Sequence, residues 1–149
     1  MVETASIEIE IIEKVLIAAI LGGIIGLERE VRHKPAGFRT HILVCMGSAL
    51  FTSLSYIAFP GSDPSRIASY VVAGIGFIGA GVILRRGAMV VGLTTAATLW
   101  IVTAIGMAVG VGFYITAVVT SVLTFIILNL KLFEKMESKG LENVGKNEA

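Results

Sequence analysis

The sequence has few charged residues and a single cysteine. Asp, Glu, Lys and Arg make up 15% of its 149 residues, against about 25% in an ordinary soluble domain. One cysteine excludes an intramolecular disulfide scaffold, and a net charge of +1 gives no reason to expect nucleic acid as a partner. The chain is instead 55% hydrophobic, with a mean hydropathy of +0.87. This composition predicts a one-domain integral membrane protein that has the lipid bilayer as a partner.

The sequence also lacks the residue patterns that catalysis uses. It has no nucleophile elbow, Walker sequence or zinc motif. The glycines of residues 74–79 match the spacing G-x-G-x-x-G, but they lie inside an apolar run. No Asp or Glu lies between Asp63 and Glu134, so the acidic partner that a dinucleotide site needs is missing. We therefore predict a protein that is not an enzyme and has no cofactor.

Five apolar stretches predict an all-α integral membrane protein, a compact bundle of five transmembrane helices. The predicted spans are at about 7–28, 40–59, 67–84, 94–109 and 111–130, followed by a short cytoplasmic tail at 131–149. A bilayer core takes about 20 residues, with a range of roughly 17 to 25. The fourth span is short by this measure, so it is tilted little, thins the membrane or begins as irregular backbone. Whether residues 85–93 re-enter the membrane stays open at this point.

The basic residues predict the orientation of the bundle. With five spans, most Lys and Arg residues fall on one side: Arg29, Arg32, Lys34, Arg39, Arg85, Arg86, Lys131, Lys135, Lys139 and Lys146. Only Lys14 and Arg66 fall on the other side. Because basic residues concentrate on the cytoplasmic side, we predict the N-terminus outside and the C-terminus in the cytoplasm. The leader is acidic, which is not typical of a cleavable signal peptide.

Small residues recur inside the predicted spans. The positions singled out for helix packing or an oligomer interface are Gly22, Gly26, Gly74, Gly76, Gly79 and Gly81. Small residues let helix backbones approach closely in lipid. They fit two interpretations, which are packing within one bundle and contact with a second copy in a homo-oligomer such as a dimer.

A stripe of polar residues follows one face of the second predicted helix. Its members are His41, Cys45, Ser48, Thr52 and Ser55, at steps of three and four residues. Threonines crowd the start of the fourth helix at Thr94, Thr95 and Thr98. These side chains either bond to helix carbonyls or line a path whose oxygens coordinate a cation.

Two acids near the membrane are the candidate metal ligands, Glu28 and Asp63. Each also has a structural interpretation. Glu28 can pair with Arg32 at i,i+4, and Asp63 can cap a helix that has Pro64 at its first position. Since the two acids are predicted on opposite faces of the membrane, they cannot hold one ion together.

Several ordered blocks resemble the MgtC/SapB family of inner-membrane proteins. The blocks are LGGIIGLERE at 21–30, AGFRTH at 36–41, DPSRIA at 63–68, GIGFIGAG at 74–81 and GLTTAATLW at 92–100. The likeness covers roughly residues 15–130 and rests on the order and spacing of all five blocks. It implies a five-helix hydrophobic domain in a bacterial or archaeal plasma membrane. Better-known members also carry a cytoplasmic C-terminal domain, which we expect this chain to lack.

The resemblance implies a role in magnesium homeostasis and adaptation to low magnesium. Some members are linked to the survival of pathogens inside host cells, some are called magnesium-transport proteins, and some regulate other complexes, including the F-type ATP synthase. Two hypotheses therefore stay open. One is a divalent-cation transporter or channel with Mg²⁺ as ligand or substrate. The other is a regulator that binds another membrane complex, with Gly22 and Gly26 on its partner surface. The functional candidates are Glu28, Arg29, Arg39, His41, Asp63, Arg66, Thr94, Thr95 and Thr98.

Overall fold

The computed structural model of the chain describes residues 2–59, 61, 63–86 and 89–147. Within these residues the chain forms five helices and a two-stranded sheet. The elements are α1 (Val2–Val31), α2 (Phe38–Ile57), α3 (Ser65–Val82), β1 (Leu84–Arg86), β2 (Met89–Val91), α4 (Leu93–Val111) and α5 (Tyr114–Asn147). The helical class is confirmed, and α2 and α3 lie within two residues of the predicted stretches at 40–59 and 67–84.

Three of the described helices, α2, α3 and α4, are long and apolar enough to cross a membrane. The apolar part of α5, Tyr114–Leu130, is shorter. The chain is thus built as a membrane protein, while membrane crossing by α1 and α5 and the orientation of the bundle stay predictions. The helix of α5 continues through residues 131–147, the segment for which we predicted a tail.

A short β-hairpin connects α3 to α4, and an all-α description leaves it out. Leu84 pairs with Val91 and Arg85 with Val90, in antiparallel register. α4 begins at Leu93 and has 19 residues, so it is longer than the predicted stretch at 94–109. α4 is therefore long enough to cross a membrane without irregular backbone at its start. The hairpin makes the connection from α3.

Two glycines in the left-handed region flank α4. Gly92 has φ of 95° and Gly112 has φ of 94°, values that L side chains rarely adopt. At Gly92 a Cβ would also collide with the carbonyl of Val82. After α4, Gly112 donates to the carbonyl of Val109 and Phe113 to that of Ala108, which is a Schellman ending. A tight turn at Gly112 therefore ends α4, and α5 starts two residues later, at Tyr114.

α4 lies at the centre of the bundle and contacts the four other helices. Half of its apolar window is buried, compared with 6% for α3. The main apolar core joins α1, α2, α4 and α5 through residues that include Ala18, Cys45, Val102, Val109 and Ala117. α3 packs at the edge, where Ile75 joins Leu99 and Ala36 in a smaller core.

Glycines on α1 and α4 determine how closely these helices approach α2. A Cβ added to Gly22 would lie 2.7 Å from the carbonyl oxygen of His41, and one added to Gly26 would lie 2.9 Å from Cα of Phe38. On α4, a Cβ on Gly110 would lie 2.7 Å from the carbonyl oxygen of Ala49. These distances leave no room for a side chain, so the backbones touch. The close contacts of Gly22 and Gly26 are therefore made within the chain.

The glycines of α3 have different surroundings. Added Cβ atoms at Gly74, Gly76 and Gly81 would meet nothing within 4 Å, and one at Gly79 would make ordinary contact with Ala96, at 3.7 Å. In the part of the chain that the structure describes, α3 therefore packs through few positions, Ile75 and Gly79, and exposes Gly74, Gly76 and Gly81.

Candidate functional site

The candidate residues divide between the two ends of the bundle. We call the end at which α1 finishes and α2 and α4 begin the basic end, since Arg29, Arg32 and Arg39 lie there. It also holds Glu28, His41 and the threonines at the start of α4. At the other end Asp63 lies between α2 and α3, and Arg66 lies in the first turn of α3. The predicted separation of the two acids is thus present in the fold.

Glu28 is the centre of a buried group of charges at the basic end. Its carboxylate accepts a hydrogen bond from Nη1 of Arg29 at 3.3 Å and forms an ion pair with Nε of Arg32. The side chains of Glu28 and Arg29 are only 5% and 3% exposed. Nε of Arg29 is buried and has no hydrogen-bond partner. The predicted i,i+4 pair with Arg32 is present, and the carboxylate is already neutralised by this chain.

Arg32 extends this group of charges to α5. Its Nη2 donates to Oδ1 of Asn129 at 2.8 Å, and Nδ2 of Asn129 donates to the carbonyl of Phe125 at 2.7 Å. We call Glu28, Arg29, Arg32 and Asn129 the charge cluster. Sequence reasoning did not select Arg32 or Asn129 as site residues. The signal was present, because Asn129 is the only amide side chain in the apolar part of α5.

The turn between α1 and α2 is held by a carboxylate that the sequence analysis also did not select. Oε2 of Glu30 accepts the backbone N–H of Phe38 at 3.0 Å. This N–H belongs to the first residue of α2 and has no partner within its own helix. Glu30 thereby caps α2 from the end of α1 and fixes the entry of α2 into the bundle.

His41 links the start of α2 to the start of α4. It is fully buried, with Nδ1 2.9 Å from the carbonyl oxygen of Gly37 and Nε2 3.3 Å from Oγ1 of Thr98. The hydroxyl of Thr98 lies 2.8 Å from the carbonyl oxygen of Thr95. Three of the candidate residues, His41, Thr95 and Thr98, are therefore brought together. Thr94 and Arg39 are exposed nearby and are not part of this arrangement.

The predicted polar stripe of α2 is buried along its whole length. Two of its three hydroxyls bond across to main-chain carbonyls, from Ser48 to Thr103 at 2.7 Å and from Ser55 to Pro64. A neighbouring hydroxyl, that of Ser53, donates to Gly110 at 3.2 Å. Bonding to main-chain carbonyls describes Ser48, Ser53 and Ser55, while the buried hydroxyl of Thr52 has no hydrogen-bond partner among the described residues.

Asp63 is fully exposed and binds the start of α3. Its Oδ1 accepts the N–H of Ser65 at 2.9 Å, as expected of a capping residue. The pKa of the Asp63 carboxyl lies below its ordinary value, because the backbone and hydroxyl of Ser65 donate to it and Arg66 adds a positive charge. Since the charged form is the one that is bonded, this contribution to the start of α3 is lost as the pH falls through the pKa of the folded protein.

The described residues contain no group of three or more His, Cys, Asp or Glu side chains that could hold a metal ion. Glu28 and Asp63 each lie near arginines, and other acids do not join them. A cation at Glu28 would have to compete with Arg29 and Arg32 for the same carboxylate oxygens.

The contact between Arg32 and Asn129 gives a test of the charge cluster. Replacing Asn129 by leucine should destabilise the protein by about 1.5–3 kcal/mol, the range for a hydrogen bond to a charged group. Aspartate at the same position keeps an acceptor for Arg32 and should retain most of the stability. Unfolding in mixed micelles, followed by circular dichroism, measures both variants. Equal stability of the leucine variant and the unmodified protein would contradict this role.

Comparisons with known proteins support the sequence resemblance. The model of the MgtC family matches residues 15–137. YhiD of Escherichia coli K12, described as a proposed magnesium transporter, is 50% identical over 129 residues, covering 81% of this chain and 60% of YhiD. Protein MgtC of Brucella abortus strain 2308 is 48% identical over 105 residues, 70% of this chain and 44% of that protein. Protein MgtC of Salmonella typhimurium strain 14028s is 47% identical over 108 residues, covering 72% of this chain and 46% of that protein.

The chain spans 60% or less of the length of these relatives. The comparison with solved structures gave no match.

Proposed function

The chain belongs to the MgtC family, and on that basis we propose that it serves magnesium homeostasis as a multi-pass protein of a bacterial or archaeal plasma membrane. Support comes from the name of the relative YhiD and from the apolar helices. Because the basic residues gather at one end of the bundle, we place that end in the cytoplasm. All five helices then cross the bilayer.

We infer that the chain acts as a regulator of another membrane complex and does not itself conduct ions. The observation that carries this choice is the contact between α2 and α4. The polar stripe of α2 is buried, and it faces α4 at Gly106 and Gly110, where backbones touch. Ser48 of the stripe and the neighbouring Ser53 donate to carbonyls of α4, and Ser55 donates to the carbonyl of Pro64. Along this row one hydroxyl oxygen, that of Thr52, has no hydrogen-bond partner among the described residues, and it lies beside Gly110, where the two helices are in closest contact. A divalent cation takes six or more oxygen ligands, so one neutral hydroxyl in this contact does not make a path for it.

Transport of a divalent cation is the second candidate, and the description of YhiD favours it. On this view Glu28 and Asp63 would each attract Mg²⁺ at one end of the bundle. Since Glu28 is held by two arginines, a transport cycle would have to release it and separate α2 from α4. Mg²⁺ is then the substrate of the protein and not a resident cofactor.

Magnesium entry into liposomes that contain only the purified chain distinguishes the two candidates. We expect a magnesium-sensitive dye inside the vesicles to respond no faster than in protein-free vesicles, while an ionophore gives the full response. Entry that is abolished by Glu28→Ala or Asp63→Ala, and kept by Glu13→Ala, would overturn the regulatory proposal. Glu13 is a suitable control because it is an exposed acid on the same helix as Glu28.

The regulatory proposal also requires a partner, and a membrane complex such as the F-type ATP synthase is the candidate. Leucine at Gly22 or Gly26 is not a usable probe of that contact, because it would push α1 away from α2. Gly74 on α3 is a better position, since a side chain there meets open space. We expect the partner complex to co-purify with the unmodified chain from cells. Gly74→Leu should abolish this co-purification while the helical bundle stays folded.

A further inference from the structure

We propose that His41 is a proton-binding site that controls the direction of the Thr98 hydroxyl at the start of α4. The inference concerns a ligand, the proton, that the proposed magnesium function does not use. It does not depend on whether the chain regulates or transports. Its basis is the count of hydrogen-bond donors and acceptors around one buried imidazole.

The first ring nitrogen of His41 has a fixed role. Nδ1 lies 2.9 Å from the carbonyl oxygen of Gly37, and a carbonyl oxygen can only accept. Nδ1 must therefore carry a hydrogen in any state that keeps this bond. The neutral form of His41 consequently has its hydrogen on Nδ1 and a lone pair on Nε2.

The second ring nitrogen faces a group that has two possible orientations. Nε2 lies 3.3 Å from Oγ1 of Thr98, and that hydroxyl also lies 2.8 Å from the carbonyl of Thr95. A hydroxyl has a single proton to donate. If Thr98 donates to Thr95, then Nε2 meets only oxygen lone pairs and needs a proton of its own. If Thr98 donates to Nε2, its bond to Thr95 is lost.

Two arrangements follow, and they differ by one proton. Protonated His41 donates from both nitrogens while Thr98 donates to Thr95, which makes three hydrogen bonds. Neutral His41 accepts from Thr98, which leaves two. Because Thr95 and Thr98 form the first turns of α4, directly after Gly92 and the β-hairpin, the proton acts where the hairpin meets the central helix.

Charged residues of both signs act on the second proton of His41. Arg29 of α1 acts on His41 as a like charge, and Glu28 beside it supplies the negative charge that offsets Arg29. On α2 the one charged residue is Arg39, which is exposed, and Cys45 lies one turn further along. α4 contains no ionisable residue, and the apolar part of α5 contains only Tyr114, at its far end. α3 contributes Arg66 and Tyr70, in its first two turns away from the basic end.

Nitrogen NMR of the full chain in detergent micelles tests the proposal. The chain has two histidines, so the exposed His33 is an internal reference. On stepwise acidification from about pH 8 to the lowest pH at which the protein stays folded, Nε2 of His41 should change from unprotonated to protonated while Nδ1 stays protonated. A His41 ring that stays neutral down to the pH at which the protein unfolds would overturn the proposal, and so would loss of the proton from Nδ1.

A pair of variants at position 98 tests the role of the hydroxyl. Thr98→Val removes the group that accepts from protonated Nε2 in the described residues. The transition of His41 should therefore move to lower pH by about one to two units, the loss of one hydrogen bond to a charged group. Thr98→Ser should restore the original transition, and His33 should be unaffected in both. An unchanged transition in Thr98→Val would contradict the proposal. If that variant fails to fold, the NMR titration of both ring nitrogens in the unmodified protein still tests the proposal.

Discussion

Replacing Glu28 by alanine is expected to destabilise the protein by about 3–5 kcal/mol, the range for removing one partner of a buried ion pair. The reason is the charge that remains. Arg29 is 3% exposed, and without Glu28 its guanidinium would be buried beside Arg32 with no negative charge in contact. Reversible unfolding in mixed micelles, followed by circular dichroism, measures the loss.

The matched control for Glu28 is Glu13→Ala, which removes an exposed acid from the same helix and should change stability by less than about 0.5 kcal/mol. A second variant tests the mechanism. Combining Glu28→Ala with Arg29→Met removes the unpaired charge as well, so part of the stability should return. Equal losses in Glu28→Ala and Glu13→Ala would show that the charge cluster does not hold the basic end together.

Replacing Gly106 by alanine is expected to destabilise the bundle although alanine is the better helix former. A Cβ at this position would collide with the carbonyl of Cys45 and lie 2.9 Å from Cβ of Ser48. α4 would have to move away from α2, which weakens the bond from Ser48 to Thr103. Overpacking of this kind costs about 1–3 kcal/mol, and unfolding in micelles again measures it.

Gly76→Ala is the control for Gly106, and it is expected to have the opposite sign. An added Cβ at Gly76 meets nothing within 4 Å, so only helix propensity changes, in favour of alanine by up to about 1 kcal/mol. Two identical substitutions in two apolar helices should therefore differ in sign. Destabilisation of similar size at both positions would mean that helix packing in this bundle is not determined by the α2–α4 contact.

Much of the fold could be predicted because it depends on local patterns. Apolar runs located α2 and α3, and the i,i+4 spacing predicted the contact of Glu28 with Arg32. The polar stripe on α2 was correctly assigned to one face, since a period near 3.6 places its members together. Each of these features is determined by residues within a single helix.

The rest depends on contacts between elements, which one sequence does not specify. Asn129 meets Arg32 across 97 positions of chain, and Glu30 caps α2 through the fold of a turn. The β-hairpin between α3 and α4 has no alternating pattern that would separate it from a loop. Glycine spacing likewise predicted close approach but not the partner, and only the packed bundle pairs Gly22 with α2 and leaves Gly74 open.

The edge position of α3 has a consequence for how the chain assembles. α3 is made before α4, yet its buried residues Ile75 and Gly79 pack against α4. When α3 leaves the ribosome, the helix that will hold it does not yet exist. Until then α3 has only its smaller contact with the earlier helix α2, so as the membrane span that we propose it would depend mainly on its own hydrophobicity. The order of synthesis thus favours an α3 that is stable in lipid with few contacts to other helices.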